Sequence, residues 1–212
     1  MQNKTIFVLL AGGKSERMGV AKGLLKYQQT YWILEQLYRI SKSSIKEVYI
    51  GLGFNFKQYF NAIPWLQNTQ QSNFIEYEGL KVKVIINKNP EYGSFSTLQT
   101  VLKVIPKSSE VLITHIDIPI LNSNELAKII LLKNEIVLPN YKGKNGHPIK
   151  LNPSFWNNLL QLHPTEKDSR LDFQLKKVNP VKISIIEVLD RAIIMNLNTK
   201  KAWISFLETF KH

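Results

Sequence analysis

Cysteine is absent from this chain, which excludes a disulfide framework and any thiolate metal site and fits a reducing compartment. Long apolar runs are missing too. The first, Ile6 to Ala11, is six residues long and stops at Gly12-Gly13. A secretory leader needs a longer stretch and a bilayer span needs about 20 residues, so the expected location is the cytoplasm, with no membrane partner. Arginine is scarce: of 28 basic residues only Arg17, Arg39, Arg170 and Arg191 are arginine. Acidic residues number 16, leaving a formal charge of +12 spread as lysine without any block of five. Scattered lysine describes a solvated surface better than a nucleic-acid footprint, which favours clustered arginine and stacking aromatics, so no nucleic-acid partner is expected. A positive field does gather polyanionic substrates such as nucleotides.

What is present is an alternation of strand and helix signals over 212 residues, a length that suits one domain. Thr5 to Leu10 reads as a strand buried on both faces. Thr30 is the expected N-cap of a helix carrying Ile33, Leu34, Leu37 and Ile40. Strands follow at Glu47 to Ile50, Val82 to Ile86 and Val111 to Thr114. Helices are expected at Phe54 to Ile63, at Thr97 to Ile105, and from a cap at Ser123 to about Leu132. Pro64 to Gly79 reads as an exposed polar excursion. Later come strands at Ile136 to Leu138, Ile149 to Leu151 and Lys182 to Glu187, and a helix started by Asn152-Pro153. Trp203, Phe206, Leu207 and Phe210 form the stripe that docks a last helix. The expected fold is three-layer αβα, with a Rossmann-like, doubly wound, mainly parallel sheet that binds ligands at the carboxyl ends of its strands.

The segment Leu10 to Lys22 carries the chemistry. A buried strand delivers the chain to Ala11-Gly12-Gly13, where backbone N–H groups can approach an anion, and Arg17 and Lys22 add two positive charges. Nucleoside triphosphate binding would use all of these. An ordinary strand-to-helix turn with solvated basic residues is the competing reading. A Walker A loop is excluded because Val8 stands where its first glycine belongs, and Gly12, Gly13 and Gly19 lack the dinucleotide spacing.

LAGGKSERMGVAKGLL resembles the LAGGxSxRMGxxK signature of the molybdenum cofactor cytidylyltransferase and guanylyltransferase family, within the MobA-like NTP transferase superfamily. NPEYGSFSTL is similar to a segment near the nucleotide in the cytidylyl branch. THIDIPIL is similar to the family's Asp-x-Pro metal motif, NGHPIKL to its Gly-His-Pro segment and MNLNTKKAW to the ending of the guanylyl branch. The resemblance implies transfer of CMP or GMP from a nucleoside triphosphate to a phosphorylated acceptor, molybdopterin or its metallated form, with release of pyrophosphate. It implies catalytic roles for Arg17, Lys22 and Asp117. Leu10, Ala11, Gly12, Gly13, Lys22, Asn89, Gly93 and Ser94 would bind the nucleotide, and His147 and Asn198 the acceptor. Mg²⁺, with Mn²⁺ as the alternative ion, would sit on Asp117, and molybdoenzymes or their chaperones would be the protein partners. One domain is expected, with a nucleotide half over 1–121 and an acceptor half over 122–212.

His115 would share a face with Asp117 if the strand ran that far, but a hydrogen-bonded histidine at a strand end is the plainer reading, and it is left out of the metal site. Three departures stand against the family pattern: Ala21 before Lys22, Lys200-Lys201 in the ending, and Gly51-Leu52-Gly53 without the asparagine of guanylyl relatives. Asn89-Pro90 and Gly93 to Ser96 lean to the cytidylyl branch, whereas Lys22 to Leu25 and Asn196 to Thr199 lean to the guanylyl branch. The segments nearest the base favour CTP. Two other readings stay open: transfer to another small acceptor such as a sugar phosphate, and a nucleotide-binding regulator without turnover.

Overall fold

Alternate residues of the first strand face two different cores. The computed structural model describes residues 4–69 and 74–209. In chain order, β1 (Thr5–Ala11) leads to the small hairpin of β2 (Lys26–Tyr27) and β3 (Thr30–Tyr31) and then to α1 (Trp32–Ser41). Next come β4 (Glu47–Leu52), α2 (Phe56–Ala62), α3 (Trp65–Asn68), β5 (Ile75–Tyr77) and β6 (Leu80–Ile86). The middle holds α4 (Gly93–Leu102), β7 (Glu110–His115), α5 (Ser123–Leu131), β8 (Ile136–Tyr141), β9 (Lys144–Asn145) and β10 (Ile149–Leu151). The chain continues with α6 (Pro153–Leu159), α7 (Leu171–Lys176), β11 (Ile183–Glu187) and α8 (Lys200–Thr209).

The main sheet runs β11-β8-β10-β7-β1-β4-β6-β5, with β9 attached to β8. β1 is parallel to both neighbours, pairing Leu10 with His115 on one side and with Gly51 on the other. β10 runs antiparallel between β7 and β8, which makes the sheet mixed but mostly parallel. Phe7 and Leu9 pack on one face with α1, α5 and α8; Ile6, Val8 and Leu10 pack on the other with α4 and α6. A central strand covered on both sides must be apolar at every position, which is what the uninterrupted run in the sequence encodes. The expected three-layer, mainly parallel α/β architecture is the observed one. No helix among the described residues is long and apolar enough to cross a membrane.

The local expectations shift in four places. Thr30 is not a cap; it pairs with Tyr27 in the β2–β3 hairpin, and α1 starts at Trp32, whose N–H donates to the Leu25 carbonyl (2.9 Å). Asn122 rather than Ser123 caps α5, its side chain accepting from the Glu125 amide at 3.0 Å. α4 begins at Gly93, four residues before Thr97, because the 3₁₀ turn Pro90–Tyr92 feeds straight into it. The span Pro64 to Gly79 is anchored where it is described: Leu66 is buried and Trp65 stacks on Tyr77 with centroids 5.2 Å apart. Its residues 70–73 lie outside the described residues, as does Phe210. Trp203 and Phe206 dock α8 edge-on against Trp32, each with centroids 5.2 Å from it.

Candidate active site

Three parallel strands, β1, β4 and β7, end at the same edge of the sheet, and a cleft of about 370 Å³ opens there. Its walls are the loop after β1, the turn after β7 and the N-terminal end of α4. The loop is held from below by polar groups of the β4–α2 connection. Phe54 donates its amide to the Gly12 carbonyl (3.3 Å), and the Asn55 side chain donates to the carbonyls of Lys14 (2.9 Å) and Gly13 (3.3 Å). With their carbonyls tied backwards, Gly12 and Gly13 line the cleft. A β-carbon on Gly12 would come within 2.8 Å of the Thr97 hydroxyl, so close packing against α4 explains that glycine. A β-carbon on Gly13 would meet no protein atom within 4 Å.

Lys22 is fixed in turn. Its amide donates to the Ser15 hydroxyl (3.2 Å), and the next amide, of Gly23, donates to the Tyr59 hydroxyl (3.1 Å). Tyr59 is buried and its phenol is pushed well above the ordinary range by desolvation, so it stays neutral at all working pH. The Lys22 ammonium donates to Asp117 Oδ2 at 2.7 Å and to Asn198 Oδ1. Both partners of this ion pair are largely shielded, with side chains 17% and 15% exposed, so Lys22 is not the solvated loop lysine that its glycine-rich surroundings suggest.

The turn that presents Asp117 is clamped from two elements. On α1, Trp32 Nε1 donates to the Ile116 carbonyl (2.7 Å), Gln36 Nε2 donates to the Ile118 carbonyl (2.7 Å), and Gln36 Oε1 accepts from the Ile120 amide (3.1 Å). Before α8, the Leu197 amide donates to the Asp117 carbonyl (2.8 Å), which brings Asn198 beside Lys22. β7 ends at His115, and Ile118 donates back to the His115 carbonyl (3.1 Å), so Asp117 sits in a turn rather than two residues further along a strand.

Of the residues singled out in the sequence, Leu10, Ala11, Gly12, Gly13, Lys22, Gly93, Ser94 and Asp117 line this cleft together. Gly93 has φ +86°, a backbone conformation that favours glycine, and starts α4 with its N-terminal end at the cleft wall. Four are not brought there: His147 lies in the wall of a neighbouring cavity, Asn198 stands beside Lys22, and Arg17 and Asn89 lie apart. Arg17 is exposed on the turn Glu16–Met18, and Asn89 is exposed with its carbonyl accepting from Ser96, shaping the loop instead. Sequence reasoning missed Lys14, which lines the cleft from within the glycine loop, and Asn55, which stands two residues beyond Gly53, where an asparagine seemed to be lacking.

A second cavity of about 770 Å³ adjoins the first, sharing Leu10, Glu91, Gly93, Ser94 and His115. His147 lies in its wall, T-shaped against His115 with centroids 5.4 Å apart. Its Nδ1 is 3.2 Å from the Ile113 carbonyl, and since a carbonyl only accepts, this nitrogen carries the proton. Burial holds His147 at about 4, well below its ordinary value, with His115 adding to the effect and the Ile113 carbonyl opposing it. Burial also lowers His115, aided by Lys22 and opposed by Asp117. The far wall comes from the segment around α7, including Lys167, Arg170 and Asp172.

Among the described residues no group of three or more His, Asp or Glu could hold a metal ion. A lone Asp117 beside a phosphate-sized cleft does fit a hard cation of the Mg²⁺ or Mn²⁺ type, which takes one or two carboxylates and fills its remaining sites with substrate oxygens and water.

Comparisons with known proteins give the family and the fold. A search of curated protein sequences finds no match. Among solved structures, a nucleotidyl transferase from Methanothermobacter superposes with a TM-score of 0.76 at 15% identity, covering 98% of each chain. Rv0371c from Mycobacterium tuberculosis, whose manganese complex is also known, gives a TM-score of 0.74 at 19% identity over 98% of this chain and 100% of that one. The 4-diphosphocytidyl-2C-methyl-D-erythritol synthase of Anaerococcus prevotii gives 0.70 at 13% identity, over 99% and 96%. These likenesses establish the fold. The MobA-like NTP transferase domain matches residues 7–178, four-fifths of the chain, and the protein therefore belongs to that family of nucleotidyltransferases.

Proposed function

We propose that the protein transfers CMP from CTP to the terminal phosphate of molybdopterin or its metallated form, releasing pyrophosphate. The observation that carries this reading is the pair of adjoining cavities that share Leu10, Glu91, Gly93, Ser94 and His115, one floored by Lys22 and Asp117 and one closed by His147 and the α7 segment. Two substrates must meet in such a transfer, and two cavities with a common wall would let them do so.

In the nucleotide half, over 1–121, the amides of Gly12 and Gly13 and the positive end of α4 would cradle the triphosphate. Lys22 would leave Asp117 for a phosphate oxygen and neutralise charge as it builds on the leaving pyrophosphate. Lys14, in the same loop, adds a second cation that can reach the phosphates. Asp117 would hold Mg²⁺ or Mn²⁺, whose contribution when bound is charge neutralisation across the triphosphate oxygens. Asn198 would orient Lys22. The acceptor, in the half over 122–212, would lie along His147. Attack on the α-phosphorus needs positioning and charge neutralisation more than a general base, because the attacking phosphate is already an anion.

For the base, the segment Asn89 to Ser96 weighs most, since its Pro90, Glu91, Gly93 and Ser94 line the α4 end of the cleft, and its resemblance is to the cytidylyl branch. A fold neighbour with cytidyl in its name supports the same choice. Competition binding of CTP and GTP at matched Mg²⁺ tests the base, and product mass after incubation with molybdopterin tests the acceptor. Preference for GTP would overturn the base; no mass addition to molybdopterin with any nucleotide would overturn the acceptor.

A further inference from the structure

The bond made in a transfer forms where the two substrate cavities meet, so a side chain lining both must flank it. Three polar side chains do so: Glu91, Ser94 and His115. Glu91 is a carboxylate and repels phosphate oxygens, and Ser94 is exposed at the start of α4. His115 differs from both. It stands at the carboxyl end of β7, in register with Leu10 at the end of β1, so its position is set by the central strands of the sheet. Its ring makes no hydrogen bond to any described residue, and its edge-to-face contact is with His147. His147 is itself tethered to the Ile113 carbonyl one turn of the pleat below and lines a third cavity, of about 500 Å³, on its other side.

We infer that His115 is a further catalytic residue, donating one hydrogen bond to the phosphate oxygens at the junction of the two cavities, and that His147 is the positioning residue that holds its ring there. The inference rests on the nucleotidyl-transfer reading. In the step it serves, an oxygen of the acceptor phosphate forms a bond to the α-phosphorus. The bond from that phosphorus to the bridging oxygen breaks, and pyrophosphate leaves with the electron pair. His115 gains and loses no proton; its N–H stabilises charge that the phosphate oxygens share as the bonds change.

The test uses the full chain with Mg²⁺, CTP and molybdopterin. His115→Phe keeps the ring and its contact with His147 but loses the N–H, and kcat should fall about 10–100-fold with the Kd for CTP within about threefold of wild type. His115→Gln, which restores a donor, should recover part of the loss. For the positioning role, His147→Ala, which removes the ring that His115 packs against, should lower kcat towards that of His115→Phe at unchanged CTP affinity, and His147→Phe, which keeps a ring there, should recover part of that loss. Equal losses in the two His147 variants would overturn the positioning role, and a His115→Phe enzyme within about twofold of wild type would overturn the catalytic one. A second readout is independent of turnover: in long-range ¹H–¹⁵N spectra, the His115 imidazole should shift on adding CTP with Mg²⁺, while the exposed His163 stays put. If the wild type releases no pyrophosphate with molybdopterin, the transfer reading fails, and the spectra alone decide His115: an unmoved resonance overturns its contact with phosphate.

Discussion

The Lys22 ammonium lies 2.7 Å from Asp117 Oδ2, joining two residues 95 positions apart at the floor of the cleft. The pair ties the phosphate loop to the turn proposed to hold the metal, and it occupies the carboxylate that a cation would need. Cation and Lys22 therefore compete for Asp117 until a triphosphate draws the lysine away. Lys22→Met should tighten Mn²⁺ binding to the nucleotide-free protein, while turnover falls about 10²–10³-fold for loss of one transition-state charge contact. Calorimetry with Mn²⁺ alone checks the first part; unchanged kcat in the folded variant would contradict the second.

Asp117→Asn keeps the size of the side chain and removes its charge. The Asp117 carbonyl still accepts from Leu197, so the turn should persist. The expected outcome is a higher Mg²⁺ requirement for turnover, read from a metal titration of initial rates. An unaltered titration would place the metal elsewhere.

Lys150 and Glu110 form an ion pair of 2.9 Å inside the fold, 1% and 3% exposed, and the lysine also donates to the carbonyls of Ile130 (2.8 Å) and Leu132 (2.6 Å). The pair bridges β10 and β7 and buries two charges that need each other. Lys150→Ala should cost about 3–5 kcal/mol by stranding Glu110, whereas the double change Lys150→Met with Glu110→Leu should recover most of it. Denaturant unfolding of the two variants beside the wild type measures both.

Much of the fold was legible because the sheet is covered on both faces: the continuous run in β1 has no other economical reading, and the alternating elements follow from it. The caps were less legible: Thr30 has cap chemistry but is taken up by the β2–β3 hairpin, and Asn122 and Ser123 are adjacent residues of similar capping chemistry, of which Asn122 accepts from the Glu125 amide. In the site, the glycines and Lys22 were marked by the resemblance of LAGGKSERMGVAK to a family signature. Asn55 and Gln36 were not, since an amide that ties a loop backwards or clamps a turn leaves no pattern in its neighbours. His115 was visible but set aside, because only the structure shows that it lies between two cavities. Arg17 drew notice through its rarity, yet it stands exposed on its turn.

His147 makes stability depend on pH in a defined window. Its folded value, about 4, lies below its ordinary value of 6.5, so the unfolded chain takes up a proton that the folded protein refuses. The contribution is intact above about pH 6.5 and is lost as the pH falls towards 4, by on the order of 2 kcal/mol. His147→Gln should flatten that part of the curve, measured by thermal unfolding with chelator present. A wild-type curve no steeper than that of the variant between these values would contradict the neutral, buried state of the ring.

The two adjoining cavities are proposed to carry out a transfer between a nucleotide and a phosphorylated acceptor. Pyrophosphate release, followed for CTP, GTP, ATP and UTP with Mg²⁺ in the presence and absence of molybdopterin, tests it most directly. Release should depend on molybdopterin, be fastest with CTP, and drop with Lys22→Met and Asp117→Asn. Release from no nucleotide, or release indifferent to molybdopterin and to both substitutions, would contradict it.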